Sequence, residues 1–294
     1  MFVDLPHELE GALTALAGTL PAWSMEGTFL SASTIERYGA ELASAPLSKE
    51  TTSSLRHALG DGYAIVRLGK IAEALDTGDQ FLRLVTAILT EVATPFQPIQ
   101  RFSLWKPIGT NLKKNPGMTS GTGYNAFHID LVNATRPPDY TVLLCVRPDS
   151  LGAGASILSD AHAAVSRLSP ASRALLAEPA YSYGRFFELS DVGKEYRPFP
   201  VLDGDPEDLD WVRFTAKMLS EPGADEAHAR AAQELSDEMT AGQESVMLQR
   251  GDLLIVNQHR YVHGREPLAD GQDRVPEPER RLLQQLFLRS SAQP

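Results

Sequence analysis

The 294-residue chain is 43% apolar and 22% charged, with 27 Lys and Arg against 38 Asp and Glu for a formal net charge of −11, which suffices to bury a full core in one large domain. The acidic balance excludes a general nucleic-acid binder, which needs a net basic face. The single cysteine, Cys145, excludes a disulfide framework and a cysteine-rich metal site, and a reducing cytoplasm is the expected location.

The amino terminus, MFVDLPHELE, lacks a basic region followed by an apolar one, and no apolar window is long enough to span a bilayer, so neither export nor a membrane partner is expected. Residues 1–96 read as mostly helical. Apolar residues recur three or four apart from Glu8 to Leu20, from Ser33 to Leu42 and from Phe81 to Val92, with one short strand, Tyr63 to Leu68, between them. From about Gln97 the texture changes to short apolar or alternating runs bounded by Gly, Pro, Asp or Asn. Strands are expected at Ile99 to Trp105, Tyr140 to Val146, Ala155 to Leu158, Ser245 to Leu248, Leu253 to Val256 and Leu282 to Leu288. An insertion over about 160–242 reads as two short helices in Asp160 to Glu178, an irregular stretch, and a helical pair at Leu209 to Leu219 and Ala224 to Met239. The expected fold is mainly β with helices: a β sandwich or barrel, a helical amino-terminal buttress and a helical insertion, all in one domain over 1–294.

Of seven histidines, two have informative surroundings. His128 and Asp130 form His-Ile-Asp, and on extended backbone positions i and i+2 point to one side, so both can reach one ion. His263, beyond the run Leu253 to Val256, is a candidate third ligand. Two imidazoles and a carboxylate occupy one face of an octahedral ion and leave three positions open, the arrangement of non-haem Fe(II) oxygenases. A competing reading pairs His259 with His263 at i, i+4 as on a zinc helix, but no Glu follows His259 and the segment reads as strand to loop.

Four pieces of text, GYNAFHID, DYTVLLCVRPDSLGAGASILSDAH, GDLLIVNQHRYVHGREPL and RRLLQQLFLR, stand in this order between Gly121 and Arg289. Together they resemble the taurine dioxygenase and clavaminate synthase group of Fe(II)/2-oxoglutarate oxygenases. The resemblance implies a double-stranded β-helix (jelly-roll) core and oxidation of a substrate C–H bond with Fe(II), 2-oxoglutarate and O2. It makes His128, Asp130 and His263 the metal ligands. It also places an arginine on the far carboxylate of 2-oxoglutarate, where Arg281 stands 18 positions (281 − 263) beyond the distal histidine. Arg265, Arg274 and Arg280 are alternatives, and the alternation Arg281, Leu283, Gln285, Phe287 favours Arg281 as inward-facing. Ser156, 28 positions (156 − 128) after the first ligand, fits the hydroxyl that assists the arginine. An arginine fork suits this task because it grips a carboxylate bidentately and stays charged when buried.

Relatives that act on amino acids often carry a second arginine four residues beyond the clamp, where this chain has Gln285. The substrate's recognised group is then neutral or held elsewhere. Tyr124 and Asn125 are expected at the mouth of the site, with Arg185 and Phe186 in a lid, and with Gln285 these form the candidate substrate contacts. Asn257-Gln258 replaces the Asp-Asn common before the distal histidine, a change expected to act behind the ligands. The expected activity is hydroxylation of an amino acid-derived or other small natural-product intermediate, a part in secondary metabolism. Desaturation or cyclisation on the same chemistry, a cupin-like metal-binding protein and a catalytically silent relative are the rivals. Oligomeric state has no signature in the text.

Overall fold

A computed structural model describes residues 1–20, 40, 49–76, 78–97, 103–183, 198–205, 208–220 and 225–290. In chain order its elements are β1 (Phe2–Asp4), α1 (His7–Ala17), α2 (Lys49–Gly60), β2 (Tyr63–Arg67), α3 (Gly69–Leu75), α4 (Asp79–Thr90), β3 (Thr94–Phe96), β4 (Lys106–Gly109) and β5 (Asn125–His128). There follow β6 (Tyr140–Arg147), β7 (Ser156–Asp160), α5 (Ala161–Arg167), α6 (Pro170–Leu176), β8 (Leu202–Asp205), β9 (Asp208–Val212), α7 (Glu226–Ala241), β10 (Glu244–Val246), β11 (Asp252–Asn257), β12 (Tyr261–Arg265) and β13 (Leu282–Arg289). Among the described residues no helix is long and apolar enough to cross a membrane.

The strands form a larger sheet in the order β1-β2-β11-β6-β13-β3, with β4 also on β13, and a smaller one in the order β10-β7-β12-β5. All pairings are antiparallel except β1 with β2. The central strands are apolar on both faces because both faces are covered. Val142, Leu144, Leu253, Ile255, Leu286 and Leu288 point outward into a core shared with α1 to α4. The alternate residues Leu143, Cys145, Leu254, Val256 and Leu283 meet Leu158 and Tyr261 of the smaller sheet in an inner core. The outer face of the smaller sheet, with Phe127, Ile157 and Val262, is covered by the insertion through α5, α6 and α7. The site is thereby set between the sheets, with a helical layer stiffening each from behind.

Capping chemistry explains the insertion helices. Asp160, Ser169 and Asp225 each accept backbone N–H groups at a helix start, and Pro170 stands at the first position of α6.

Two expectations are corrected. Leu209 to Leu219 is not a helix: β9 pairs with β8 as a hairpin and a 3-10 turn, Ala216–Ser220, follows. Leu209, Val212, Ala216 and Leu219 imitate helical spacing, but the run from Trp211 to Thr215 is buried on both sides, which extended chain between two layers explains. In the expected strand Ile99 to Trp105, positions 99–102 lie outside the described residues and Ser103 to Trp105 is irregular. The strand β4 begins only at Lys106, because Trp105 turns away to pack on α4 and donates Nε1–H to Thr86 Oγ1 at 2.9 Å. The expected helix Ser33 to Leu42, apart from Ala40, and the lid residues Arg185 and Phe186 also lie outside the described residues.

Candidate active site

The site is built on the pairing of β5 with β12, two strands too short and too polar to stand out in the sequence. His263 lies directly across from His128, and the ring centroids are 4.5 Å apart. Between this pair and the next, Arg265 with Asn125, three steps on β5 oppose two on β12. The extra residue is a bulge that turns both Asn125 and His128 to the inside. Close approach of the strands requires Gly264, since a Cβ there would lie 2.5 Å from the Asn125 carbonyl oxygen. After His128 the chain leaves the sheet, and Leu131 adopts φ 56°, an unusual conformation for a branched residue, as the chain reverses beyond Asp130.

His128, Asp130 and His263 each offer a ligand atom, and these atoms all lie within 4.8 Å of one another. His128 Nδ1 is 2.8 Å from the Ala126 carbonyl oxygen, so Nδ1 carries the proton and Nε2 keeps its lone pair. Burial, followed by the neighbouring His263, pushes the His128 pKa down to about 3 against the opposing pull of Asp130. Burial opposes ionisation of Asp130, but the hydrogen bond and charge of His263, with His128 and Thr141, outweigh it and hold the carboxyl well below its usual range. His263 Nε2 is 3.4 Å from Asp130 Oδ2, while its buried Nδ1 has no partner among the described residues. An imidazole kept neutral at His128, a second imidazole with one buried nitrogen orphaned at His263, and a carboxylate match what a divalent metal of the facial two-histidine, one-carboxylate type requires of its ligands.

Asp130 is braced from two directions. Gln285 Nε2 donates to Asp130 Oδ2 at 3.0 Å and lies 3.4 Å from Thr141 Oγ1. Gln258 accepts the Asp130 backbone N–H at 2.6 Å and donates to the Pro138 carbonyl at 2.9 Å. Gln285, expected among the substrate contacts, thus sits behind a metal-ligand candidate while also lining the cavity.

Two connected spaces meet at His128. A cleft of about 900 Å³ opens above Asp130 between Phe96, Leu104, Met118, Lys217 and Phe287. A narrower pocket of about 370 Å³ runs from His128 and His263 to Ser156 and Arg281. Arg281 is 7% exposed, and its guanidinium hydrogen-bonds to none of the described residues. Burial lowers its pKa, with the charges of Cys145 and Asp149 opposing. Asp149 is already taken by Gln272 Nε2 at 2.8 Å and by the Ala269 and Leu151 backbone amides. A buried unpaired cation is costly, and an anion entering the pocket would remove that cost.

The other arginines are placed elsewhere. Arg265 donates to the backbone carbonyls of Glu266 and Thr119 and to that of Gly123, tying down the rim. Its pKa falls to about 10 through burial and then the charge of Arg281. Arg280 donates to the Val275 carbonyl, and Arg274 is exposed. Of the expected substrate contacts, Asn125 borders the narrow pocket, whereas Tyr124 is 41% exposed and outside both spaces. His259 is far from a zinc-helix geometry: it sits before β12, with Nε2 2.7 Å from Asp139 Oδ1 and Nδ1 2.6 Å from the Asp210 carbonyl oxygen. Sequence reasoning did not find Lys106 or Lys217 in the cleft. Lys217 is brought there by Thr215, which bridges to His128, and no motif marks that contact.

Residues 29–285 match the family described as taurine catabolism dioxygenase TauD, TfdA family. L-asparagine oxygenase of Streptomyces coelicolor is 30% identical over 169 residues, 54% of this chain, and the match spans about half (49%) of that relative's length. Among solved structures, an asparagine oxygenase in complex with Fe(II), 2S,3S-3-hydroxyasparagine and succinate superposes with TM-score 0.77 at 21% identity, covering 98% of this chain and 93% of that one. The non-heme iron oxygenase OrfP in complex with Fe and alpha-ketoglutaric acid gives TM-score 0.76 at 21% identity, covering 99% and 94%. At these identities the likeness is one of fold.

Proposed function

Because the chain belongs to the TauD, TfdA family of dioxygenases, we propose that it is an Fe(II)- and 2-oxoglutarate-dependent oxygenase with a double-stranded β-helix core. Its reaction is hydroxylation of an unactivated C–H bond in an amino acid-derived or other small natural-product intermediate. The observation that carries this reading is that the narrow pocket bordered by His128 and His263, whose ligand atoms cluster with that of Asp130, runs to the buried Arg281, whose guanidinium hydrogen-bonds to none of the described residues. The iron and 2-oxoglutarate held in relatives by name support it.

Bound Fe(II), with 2-oxoglutarate and O2, supplies the oxidising power that no side chain here has. The chain supplies position. His128, Asp130 and His263 hold the ion, and Gln285 and Gln258 fix the carboxylate. Arg281 forks onto the far carboxylate of the keto acid and the Ser156 hydroxyl assists from β7. Leu143, Leu283 and Ile108 line the space between and keep water out. A cupin-like metal protein has no need of a buried arginine in the pocket that its histidines border. The free, buried Cys145 supports cytoplasmic residence, and the whole chain acts as one oxygenase domain.

The test is formation of succinate by protein supplied with Fe(II), 2-oxoglutarate and O2, beside equilibrium dialysis of the metal. His128→Ala should abolish both metal retention and turnover while leaving the circular dichroism of the fold intact. Turnover retained by that variant refutes the assignment.

A further inference from the structure

Asp130 is followed by a reversal whose first residue, Leu131, takes φ 56°, a backbone conformation that strains a non-glycine residue and persists only where surrounding contacts enforce it. Gln285 and Gln258 grip Asp130 itself. The residues after Leu131 are gripped by Arg213, which directly follows β9 and has a buried side chain. Its Nη1 donates to the Ala134 carbonyl at 2.7 Å and lies 3.4 Å from that of Val132, and its Nη2 donates to the Thr135 carbonyl at 3.0 Å. Its Nε donates to Asp203 Oδ2 at 2.6 Å, across the β8–β9 hairpin. The backbone around the arginine is pinned as well. Arg213 N–H donates to the Val201 carbonyl, the Phe214 carbonyl accepts the Ile129 N–H at 2.9 Å, and Thr215 bridges to His128. Arg213 is therefore anchored beside His128 at its root and to the loop beyond Asp130 at its tip.

Asp130 and Leu131 share a peptide unit, so relaxation of Leu131 toward negative φ displaces the loop and the carboxylate relative to each other. Carbonyls held by one planar cation resist that relaxation. An arginine suits the task because its fork of five donors serves several carbonyls at once while Asp203 offsets its buried charge, whereas a lysine is a single point donor. Given the oxygenase reading, in which Asp130 is a metal ligand, we propose that Arg213 is a positioning residue: by holding the strained turn after Asp130 it keeps the carboxylate within the cluster formed with His128 and His263. The β8–β9 hairpin of the insertion thereby becomes part of the frame of the metal site.

Hydrogen exchange in the metal-free protein tests the hold, and competition for Fe(II) with a chelator tests its consequence. The Asp130 and Ala134 amides, bonded to Gln258 and to the Leu131 carbonyl, should exchange about tenfold faster in Arg213→Met and Arg213→Lys, with the amides of β6 and β11 unchanged. Both variants should bind Fe(II) about tenfold to a hundredfold more weakly. Arg213→Lys keeps a charge opposite Asp203, so it provides the test if Arg213→Met does not fold. Glycine adopts positive φ without strain, so adding Leu131→Gly to Arg213→Lys should recover most of the lost affinity. A loss caused by general destabilisation would not be recovered by a glycine. Unchanged exchange at Asp130 and Ala134, unchanged Fe(II) affinity, or no recovery in the double variant overturns the proposal. Wild-type protein that binds no metal, while exchange at the two amides still depends on Arg213, would overturn the oxygenase reading and leave the hold on the turn standing.

Discussion

Replacing Arg281 by Met separates the cost of a buried charge from the work it does. The side chain is 7% exposed, makes no hydrogen bond to the described residues, and Asp149, the acid whose charge reaches it, is occupied. Removing an uncompensated charge while keeping most of the volume should leave the metal-free protein at least as stable, with a gain of up to about 1–4 kcal/mol. The same change deletes a bidentate grip on 2-oxoglutarate. Two hydrogen bonds to a charged group at about 1.5–3 kcal/mol each amount to about 3–6 kcal/mol, or about a hundredfold to ten-thousandfold in affinity. Thermal unfolding with and without 2-oxoglutarate reads both effects at once. At a hundred times its dissociation constant the keto acid should stabilise the wild type by about 2.7 kcal/mol, which for a chain this long raises Tm by about 4 °C. Arg281→Met should start from an equal or higher Tm and show no such rise, while metal binding persists. A variant that is several degrees less stable without ligand and still responds to 2-oxoglutarate would refute both the unpaired charge and the clamp.

Other changes have equally direct readouts. Gln285→Leu removes the donor to Asp130 Oδ2 and should weaken metal binding about tenfold to a hundredfold without unfolding the protein, as measured by competition with a metallochromic chelator. Gln258→Ala strands a backbone N–H and a carbonyl in the interior and should cost about 1–3 kcal/mol for each group left unpaired, read as a lower denaturant midpoint at constant slope. The hydrogen bond that His228 donates to Asp225, aided by a second to Glu178, raises the pKa of His228 above its ordinary value of 6.5 despite some desolvation. Its contribution to stability is then fully present below pH 6.5 and lost as pH rises through the higher folded-state pKa. The Tm difference between wild type and His228→Gln should shrink with rising pH across that window, and a constant difference would remove the charge from the account.

The strands of the larger sheet were legible because they obey one rule along their length: alternate residues fill two different cores, so Tyr140 to Val146, Leu253 to Val256 and Leu282 to Leu288 read as apolar runs. That alternation also picked Arg281 from four arginines, since its odd-numbered partners Leu283 and Gln285 line the same pocket. β5 and β12 escaped notice because their inner positions are spent on polar and imidazole side chains, with Asn125, His128 and His263 where apolar residues would announce a strand. The residue types of the His128, Asp130 and His263 cluster were legible in the sequence, and the frame that brings them together was not. β9 misled because a hairpin buried on both sides can carry apolar residues at any spacing, including three and four. Lys217 and the hydrogen bond from Gln285 to Asp130 are tertiary facts, joining positions 92 and 155 residues from their partners, and no local pattern encodes them.

The most direct test of the central claim is anaerobic titration of the metal-free protein with Fe(II) and then 2-oxoglutarate, followed by visible absorption. A weak charge-transfer band that appears only when both are present, and is absent in His128→Ala, is the predicted result: one ion held by three side chains, with room for a chelating keto acid directed at Arg281. No band in folded wild-type protein at saturating Fe(II) and 2-oxoglutarate would contradict it.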